Sequence, residues 1–425
     1  MRLHKPNLNS TKGNLLKNTA MLYILQFSTY LLSFLVMPYE TRVLGDEIYG
    51  HLGAATSIMV YFQLVIDFGF LLSATEEVAR SRHDKSALCR IFTSVTICKL
   101  GLTAVSFVIL LWLCQAIPAW HQKQTLILLT FAASFLTSMM PDYLYRGLEQ
   151  MTAITLRTVA IRLFFTVAIF FFLKSPEDVW VVPVLNIIGN AVALIFVYLH
   201  LFRRLHICFQ PVKRYTVWRT LARSSTFFYS RMATTAYTAL NTVILDIISG
   251  SGAVTGYYTS ANTLINAGKN GISPISDSLY PYMARHRDFK LVKKVLLWFE
   301  PPIIVFCAVV FPFAEQLCGW YFGAEFAPAG QVLRAMLPIG IVILPSYVLG
   351  FPTLTAMGLS KYANYSVIAG SVLHVCILAI LFVTNQLSMV TLGATVSVTE
   401  TFILLYRIVV IWRNRDIIKS MEAKA

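Results

Sequence analysis

The sequence has too few charged residues for a water-soluble protein of its length. Only 13% of its 425 residues are Asp, Glu, Lys or Arg, whereas soluble globular proteins average about 25%. Hydrophobic residues make up 57% of the chain and occur in long blocks, and a membrane-spanning helix needs about 20 mainly apolar residues. The composition therefore predicts an all-α polytopic membrane protein.

Cysteine pairs and catalytic signatures are also lacking. The seven cysteines include no Cys-x-x-Cys pair, and most lie in apolar segments, which predicts neither a disulfide framework nor a zinc site. The chain has no Walker-type Gly-x-x-x-x-Gly-Lys, no His-Glu-x-x-His and no Gly-x-Ser-x-Gly. We therefore expect no cofactor, no metal and no enzymatic activity.

Apolar blocks separated by Gly, Pro and charged residues predict twelve membrane spans. They lie near residues 18–39, 50–74, 91–115, 124–145, 154–173, 179–202, 224–248, 255–282, 295–318, 331–357, 364–384 and 389–412. The longest connection, 202–223, is basic, and no connection is long enough for a separate soluble domain.

The distribution of basic residues predicts the orientation of the chain. With the N-terminus in the cytoplasm, 27 of the 35 Lys and Arg residues fall in cytoplasmic segments, four in outer loops and four within spans. Five of the 27 are assigned to the C-terminal end, beginning with Arg407. Since Lys and Arg collect in cytoplasmic loops, both termini are expected there, and the net charge of +15 needs no nucleic-acid partner.

Two glycine-bounded turns suggest an internal repeat. Leu44–Gly50 joins spans 1 and 2, Gly250–Gly256 joins spans 7 and 8, and the closing glycines are 206 positions apart. Two six-span halves, residues 1–205 and 206–425, would explain this offset, although short matches of this kind also arise by chance. Transporters are often built from such repeats, with the substrate site between the halves.

Charges within the predicted spans are the most informative feature of the sequence. Lys99, Arg231 and Lys269 lie within apolar sequence, where each charge costs about 2.5–3.5 kcal/mol on insertion scales. One interpretation is a cationic cavity for an anionic substrate such as a lipid pyrophosphate, because Lys and Arg both bind phosphate.

Internal pairing is the alternative interpretation of the same charges. Carboxylates also lie within the spans, and Asp67 could pair with Lys269, or Glu300 with Arg231. Asp67 could instead be a coupling carboxylate that takes up a proton or a cation. Both interpretations remain open from the sequence.

A polar stripe in span 8 is the second candidate binding feature. Asn262, Asn266 and Asn270 repeat at every fourth position, so they share one helix face, and Lys269 flanks that face. Such a stripe faces protein or water rather than lipid. It fits a sugar-binding wall, and equally an interhelical hydrogen-bonding seam.

Motifs in the first 90 residues resemble a known family. They are Tyr23-Ile24-Leu25-Gln26, Pro38-Tyr39-Glu40-Thr41-Arg42-Val43-Leu44-Gly45 with Tyr49-Gly50, Asp67-Phe68-Gly69-Phe70, Ser73-Ala74-Thr75 and Ala79-Arg80. Together they resemble the polysaccharide biosynthesis flippases of the O-antigen transporter type, in the multidrug/oligosaccharidyl-lipid/polysaccharide exporter superfamily. Glu76-Glu77 stands where that family often has Arg-Glu.

This resemblance implies two six-helix lobes around a central cavity lined by spans 1, 2, 7 and 8. It implies alternating access that moves an undecaprenyl-pyrophosphate-linked repeat unit from the inner to the outer leaflet of the bacterial cytoplasmic membrane. Asp67, Arg231 and Lys269 would face the cavity, and Arg42 would hold a structural position at its outer mouth. The expected partners are the bilayer, a proton or sodium ion, and the polysaccharide polymerase machinery.

Two other functions compete with this interpretation. A cation-coupled multidrug exporter of the same superfamily would favour carboxylates over Lys and Arg in its cavity. A membrane-integral polysaccharide polymerase or ligase would carry a sizeable outer loop with catalytic charges, whereas the predicted outer loops here are short and nearly uncharged.

Overall fold

The protein is helical throughout the part of the chain that the structure describes. The computed structural model describes residues 8–417, apart from some side chains, among them those of residues 8–26. Sixteen α-helices lie in this part, and it contains no β-strand. Nine helical stretches within it are long and apolar enough to cross a membrane. The all-α prediction is confirmed.

The first compact unit comprises residues up to 44 together with 55–232. Its helices are most of α1 (Leu8–Asp67), α2 (Phe70–Arg80), α3 (Lys85–Ala116), α4 (Pro118–His121), α5 (Gln124–Ser138), α6 (Asp142–Gly147), α7 (Met151–Phe172), α8 (Val181–His200) and the first part of α9 (Arg214–Ser249). A π-helical turn, Leu201–Leu205, extends α8. Phe70, Phe92 and Leu144 are completely buried in its core.

The second compact unit comprises residues 45–54 and the chain from 233 onward. Its helices are the rest of α9, α10 (Gly252–His286), α11 (Phe289–Phe322), α12 (Ala329–Met336), α13 (Pro338–Val348), α14 (Leu354–Ala356), α15 (Ser360–Val383) and α16 (Met389–Arg413). Met283, Leu344 and Val348 are buried in one core cluster.

Helices cover the twelve predicted spans, but some spans cross a break between helices: 50–74 runs from α1 into α2, 124–145 from α5 into α6, and 331–357 from α12 to α14. α1 contains the first span and most of the second, which are separated at Gly45, where φ is 72°; glycine adopts this left-handed region without the steric cost of a Cβ atom. Within the described residues, α10 is not among the nine apolar stretches, and the apolar stretch found in α9 is Ala239–Ser249. Polar side chains interrupt both helices, and these include the candidate binding residues.

The two glycine-bounded turns pack against each other within the second unit. A Cβ atom on Gly50 would lie 1.8 Å from the carbonyl oxygen of Gly252, and one on Gly256 would lie 2.4 Å from that of Asp46. Small residues allow membrane helices to approach backbone to backbone in this way. The glycines therefore place the start of α10 directly against residues 46–50.

Replacing Gly256 with alanine should destabilise the protein, because the new methyl group would overlap a backbone oxygen that cannot move aside. Overpacking of this kind costs about 1–3 kcal/mol. Gly268→Ala, in the same helix, is the matched control, since a Cβ atom added there would point into open space. Thermal unfolding in detergent should show a lower Tm for Gly256→Ala only; equal Tm values for the two variants would contradict the close contact.

Candidate functional site

A buried lysine in the first unit is paired with a carboxylate. Lys99 of α3 has only 7% of its side chain exposed, and its Nζ lies 3.1 Å from Oδ1 of Asp67 at the end of α1. The same ammonium group donates to the carbonyl oxygen of Ser138, the last residue of α5. Asp67 has 27% of its side chain exposed. The lysine is therefore held from two sides, while its carboxylate partner remains accessible.

A largely buried lysine lies in the second unit. Lys269 of α10 donates to Oε1 of Glu400 in α16 over 2.6 Å. Their side chains are 16% and 5% exposed, so both charges are largely removed from solvent. The alternative pairing of Asp67 with Lys269 is wrong, since each of these residues has a different partner.

A third buried cation, Arg407, lies on α16 two turns after Glu400 and therefore on the same helix face. Its Nε donates to Ser366 Oγ over 3.0 Å and its Nη1 donates to Ser346 Oγ over 2.8 Å. A Cβ atom on Gly350 would lie 2.8 Å from Nη1. The guanidinium thus joins α16 to α13, to α15 and to the π-helical turn that follows α13.

Arg407, which the charge distribution counts with the C-terminal segment, is buried. It lies inside the span predicted at 389–412 and has apolar residues on both sides, Ile403-Leu404-Leu405 before it and Ile408-Val409-Val410 after it. That apolar context was the signal that could have identified it as an intramembrane cation.

Polar side chains form a buried network in the second unit. His374 Nε2 lies 3.0 Å from Asn241 Oδ1, and His374 Nδ1 lies 2.9 Å from Thr399 Oγ1. The Asn241 amide donates to the Tyr258 hydroxyl over 2.9 Å and to the carbonyl oxygen of Leu392. All four side chains of the network are buried. Sequence reasoning missed it because its members lie on four helices, α9, α10, α15 and α16.

The second alternative pairing, of Glu300 with Arg231, is not formed. Both carboxylate oxygens of Glu300 are buried and have no hydrogen-bonding partner among the residues described. Arg231 lies at an exposed position of α9. Arg42, a residue of the family motif that lies in α1, is also exposed.

The asparagine stripe lies on a continuous helix. α10 is helical from residue 252 to 286, which puts Asn262, Asn266 and Asn270 on one face with Lys269 beside it. Asn266 is exposed, and Asn262 and Asn270 are half-buried. The face next to Lys269 therefore offers amide groups to a ligand.

Glu76 and Glu77, the departure from the family motif, form ion pairs instead of providing a cation. Their carboxylates lie 3.4 and 3.5 Å from the guanidinium of Arg223 at the start of α9. Ser73 and Ser224 are hydrogen-bonded over 2.6 Å in the same contact. This part of α2 therefore packs against the third turn of α9.

The paired lysines define what the site can do chemically. A lysine ammonium is a point charge with three donors, well suited to a phosphate oxygen. The carboxylate paired with such an ammonium competes with an anionic ligand for it. Within the described part of the chain, no group of three or more His, Cys, Asp or Glu side chains is placed to hold a metal ion.

Glu400→Gln should destabilise the protein far more than Glu76→Gln. The first change leaves Lys269 buried without its counter-charge, which costs about 3–5 kcal/mol, whereas an exposed pair such as Glu76 with Arg80 contributes about 0–1 kcal/mol. Thermal unfolding measures both. The double variant Lys269→Met/Glu400→Gln should recover much of the loss, and a loss as small as that of Glu76→Gln would contradict the buried pair.

Asn241→Ala should lower stability by about 1–3 kcal/mol, because it leaves buried partners of the amide unsatisfied. Asn266→Ala is the control, since that asparagine is exposed on the neighbouring helix. The same unfolding assay should place Asn266→Ala close to the parent protein. Equal losses for the two variants would show that the buried network does not stabilise the unit.

Comparison with known proteins agrees with this architecture. Residues 15–287 match the polysaccharide biosynthesis protein family. A putative O-antigen transporter of Escherichia coli (strain K12) is 26% identical over 378 residues, which cover 87% of this chain and 91% of the relative.

Two solved structures share the fold. The lipid II flippase MurJ in an inward closed conformation has a TM-score of 0.70 at 10% identity, over 93% of this chain and 87% of that one. An inward-facing multidrug resistance MATE family transporter of the MOP superfamily has a TM-score of 0.69 at 14% identity, over 95% and 99% of the two chains. These likenesses confirm the all-α polytopic membrane fold. With the family match over most of its length, the chain belongs to the polysaccharide biosynthesis protein family.

Proposed function

We propose that the protein is a flippase for undecaprenyl-pyrophosphate-linked oligosaccharide repeat units of O-antigen, capsule or exopolysaccharide. It moves them from the inner to the outer leaflet of the bacterial cytoplasmic membrane by alternating access. Family membership and the fold shared with a lipid II flippase support this function. The observation that carries it is Lys269, a largely buried cation in a membrane helix beside a face of exposed and half-buried asparagines.

In this proposal the cations and the amides bind different parts of the substrate. Lys269, Arg231 and Lys99 bind the pyrophosphate, whose negative charges need donors that carry positive charge. Asn262, Asn266 and Asn270 hydrogen-bond the glycan, because amide side chains both donate and accept. Arg42 has a structural role in α1.

Carboxylates keep the lysines occupied when no substrate is bound. Glu400 holds Lys269 and Asp67 holds Lys99, so the pyrophosphate competes with a carboxylate for each lysine. A proton or a sodium ion taken up by the more accessible Asp67 would release Lys99 to bind the pyrophosphate. Loss of that ion would let Asp67 pair with Lys99 again, which would favour release of the substrate. Asp67 is therefore the candidate coupling residue, and ion uptake supplies the energy in a chain without a nucleotide-binding motif.

The surroundings of the transporter follow from the same proposal. Both termini lie in the cytoplasm, as the bias of Lys and Arg favours, and the two six-helix lobes are the bodies that move. The polysaccharide polymerase machinery receives the translocated unit. The protein itself performs no enzymatic step.

A multidrug exporter of the same superfamily is the second candidate, and the likeness to a MATE transporter favours it at the level of fold only. The buried cations Lys99, Lys269 and Arg407 argue against it, because the cationic substrates common among such exporters favour carboxylates.

Complementation of a flippase-deleted strain tests the proposal. The parent protein should restore surface polysaccharide. Lys269→Ala and Arg231→Ala should each abolish export at matched expression, because the pyrophosphate loses a cation. Arg80→Gln is the control, since this exposed arginine lies outside the site and its loss should leave export intact. Surface polysaccharide is measured by immunoblot and membrane insertion by fractionation.

Two results would contradict the proposed site or function. Export that survives both Lys269→Ala and Arg231→Ala would keep the flippase function but remove these residues from the site. Drug resistance conferred by the parent protein, with no export of any donor glycan tested, would favour the multidrug exporter.

A further inference from the structure

Two cysteines that are 119 residues apart in the chain meet in the first unit. The Sγ atoms of Cys89 and Cys208 are 3.8 Å apart. Cys89 is buried near the start of α3, and Cys208 is exposed in the connection between α8 and α9. No spacing motif links them, so the sequence predicts no such pair. The fold nevertheless brings two free thiols into contact.

Backbone contacts hold the two sulfur atoms together. Residues 206–213, here called the strap, run along α3 after the π-helical turn that ends α8. The Cys208 amide donates to Cys89 Sγ over 3.2 Å, and the Gln210 amide donates to Thr93 Oγ1 over 3.0 Å. Ser86, Cys89 and Thr93 share one face of α3. The contact between the thiols therefore depends on docked backbone rather than on one side-chain rotation.

Apolar packing fixes the register of the strap. Ile207 is completely buried in the core of the unit. The rings of Phe209 and Phe92 lie 4.8 Å apart between centroids. Because these anchors lie on both sides of Cys208, a slip of the strap by one residue would remove both of them. The thiols are thus held face to face in the folded protein.

We propose that Cys89 and Cys208 form a redox-active dithiol that closes to a reversible disulfide on reaction with a low-molecular-weight disulfide. The thiolate of the exposed Cys208 attacks the soluble disulfide, forming a mixed disulfide and releasing one thiol. Cys89 then loses its proton, and its sulfur attacks the Cys208 sulfur. This second step forms the protein disulfide and releases the second thiol, so the two protein thiols are oxidised as the soluble disulfide is reduced.

The bond would clamp the strap to α3. The strap leads directly into α9, the helix that carries Arg231 and Asn241, so oxidation restricts the connection between α8 and α9. Residues 202–223 carry six Lys or Arg residues and no Asp or Glu, which favours the cytoplasmic side. Thiols there are normally reduced, and disulfides that form are transient or redox-sensing. The two thiols are therefore reduced in resting cells and form the disulfide under oxidative conditions.

Thiol mapping of the purified full-length protein tests the bond itself. Oxidised glutathione should remove two thiols from labelling by a maleimide-polyethylene glycol after denaturation, and peptide mass spectrometry should find Cys89 joined to Cys208. Cys376→Ala, which removes another exposed cysteine, should behave like the parent. Cys208→Ala and Cys89→Ala should lose the cross-linked peptide. A parent protein that stops at a mixed disulfide on Cys208 would overturn the proposal.

Limited proteolysis tests the clamp independently of the bond. Trypsin should cut after Lys213 severalfold more slowly in the oxidised parent than in the reduced one, and dithiothreitol should restore the faster rate. Cys89→Ala should be cut at one rate under both conditions. Equal rates for the oxidised and reduced parent, with the disulfide present, would overturn the clamp.

Discussion

A charge inside a membrane helix must find a partner, and this constraint organises both units of the protein. An unpaired Lys or Asp at mid-bilayer costs about 2.5–3.5 kcal/mol on insertion scales. Lys99 is therefore held by Asp67 and the end of α5, and Lys269 by Glu400 of α16. The same pairs control the proposed function, because the carboxylate that stabilises each lysine competes with an anionic substrate for it.

Polar contacts also explain how α9 and α10 can carry polar side chains within a membrane protein. α9 and α10 contribute Asn241 and Tyr258 to the buried network around His374, and α10 contributes Lys269 to the ion pair with α16. In a bilayer such groups are stable only against protein or water. The polar residues that lower the hydropathy of these helices thus hold them in place and position the candidate binding face.

Some features of the site were predictable because they depend on local sequence. A lysine surrounded by apolar residues identifies Lys99 and Lys269 as intramembrane charges, and a four-residue period places the asparagines of α10 on one face. Partners could not be predicted in this way. Asp67 and Lys99 are 32 residues apart and Lys269 and Glu400 are 131 apart, so only helix packing decides which carboxylate meets which lysine.

The sequence by itself determined the membrane class and the helical fold, since hydrophobicity and helical period are properties of neighbouring residues. Tertiary structure decided the ion pairs, the burial of Arg407 and the meeting of Cys89 with Cys208. Each of these depends on the faces that distant helices turn toward one another. A residue's own neighbours in the chain do not specify that geometry.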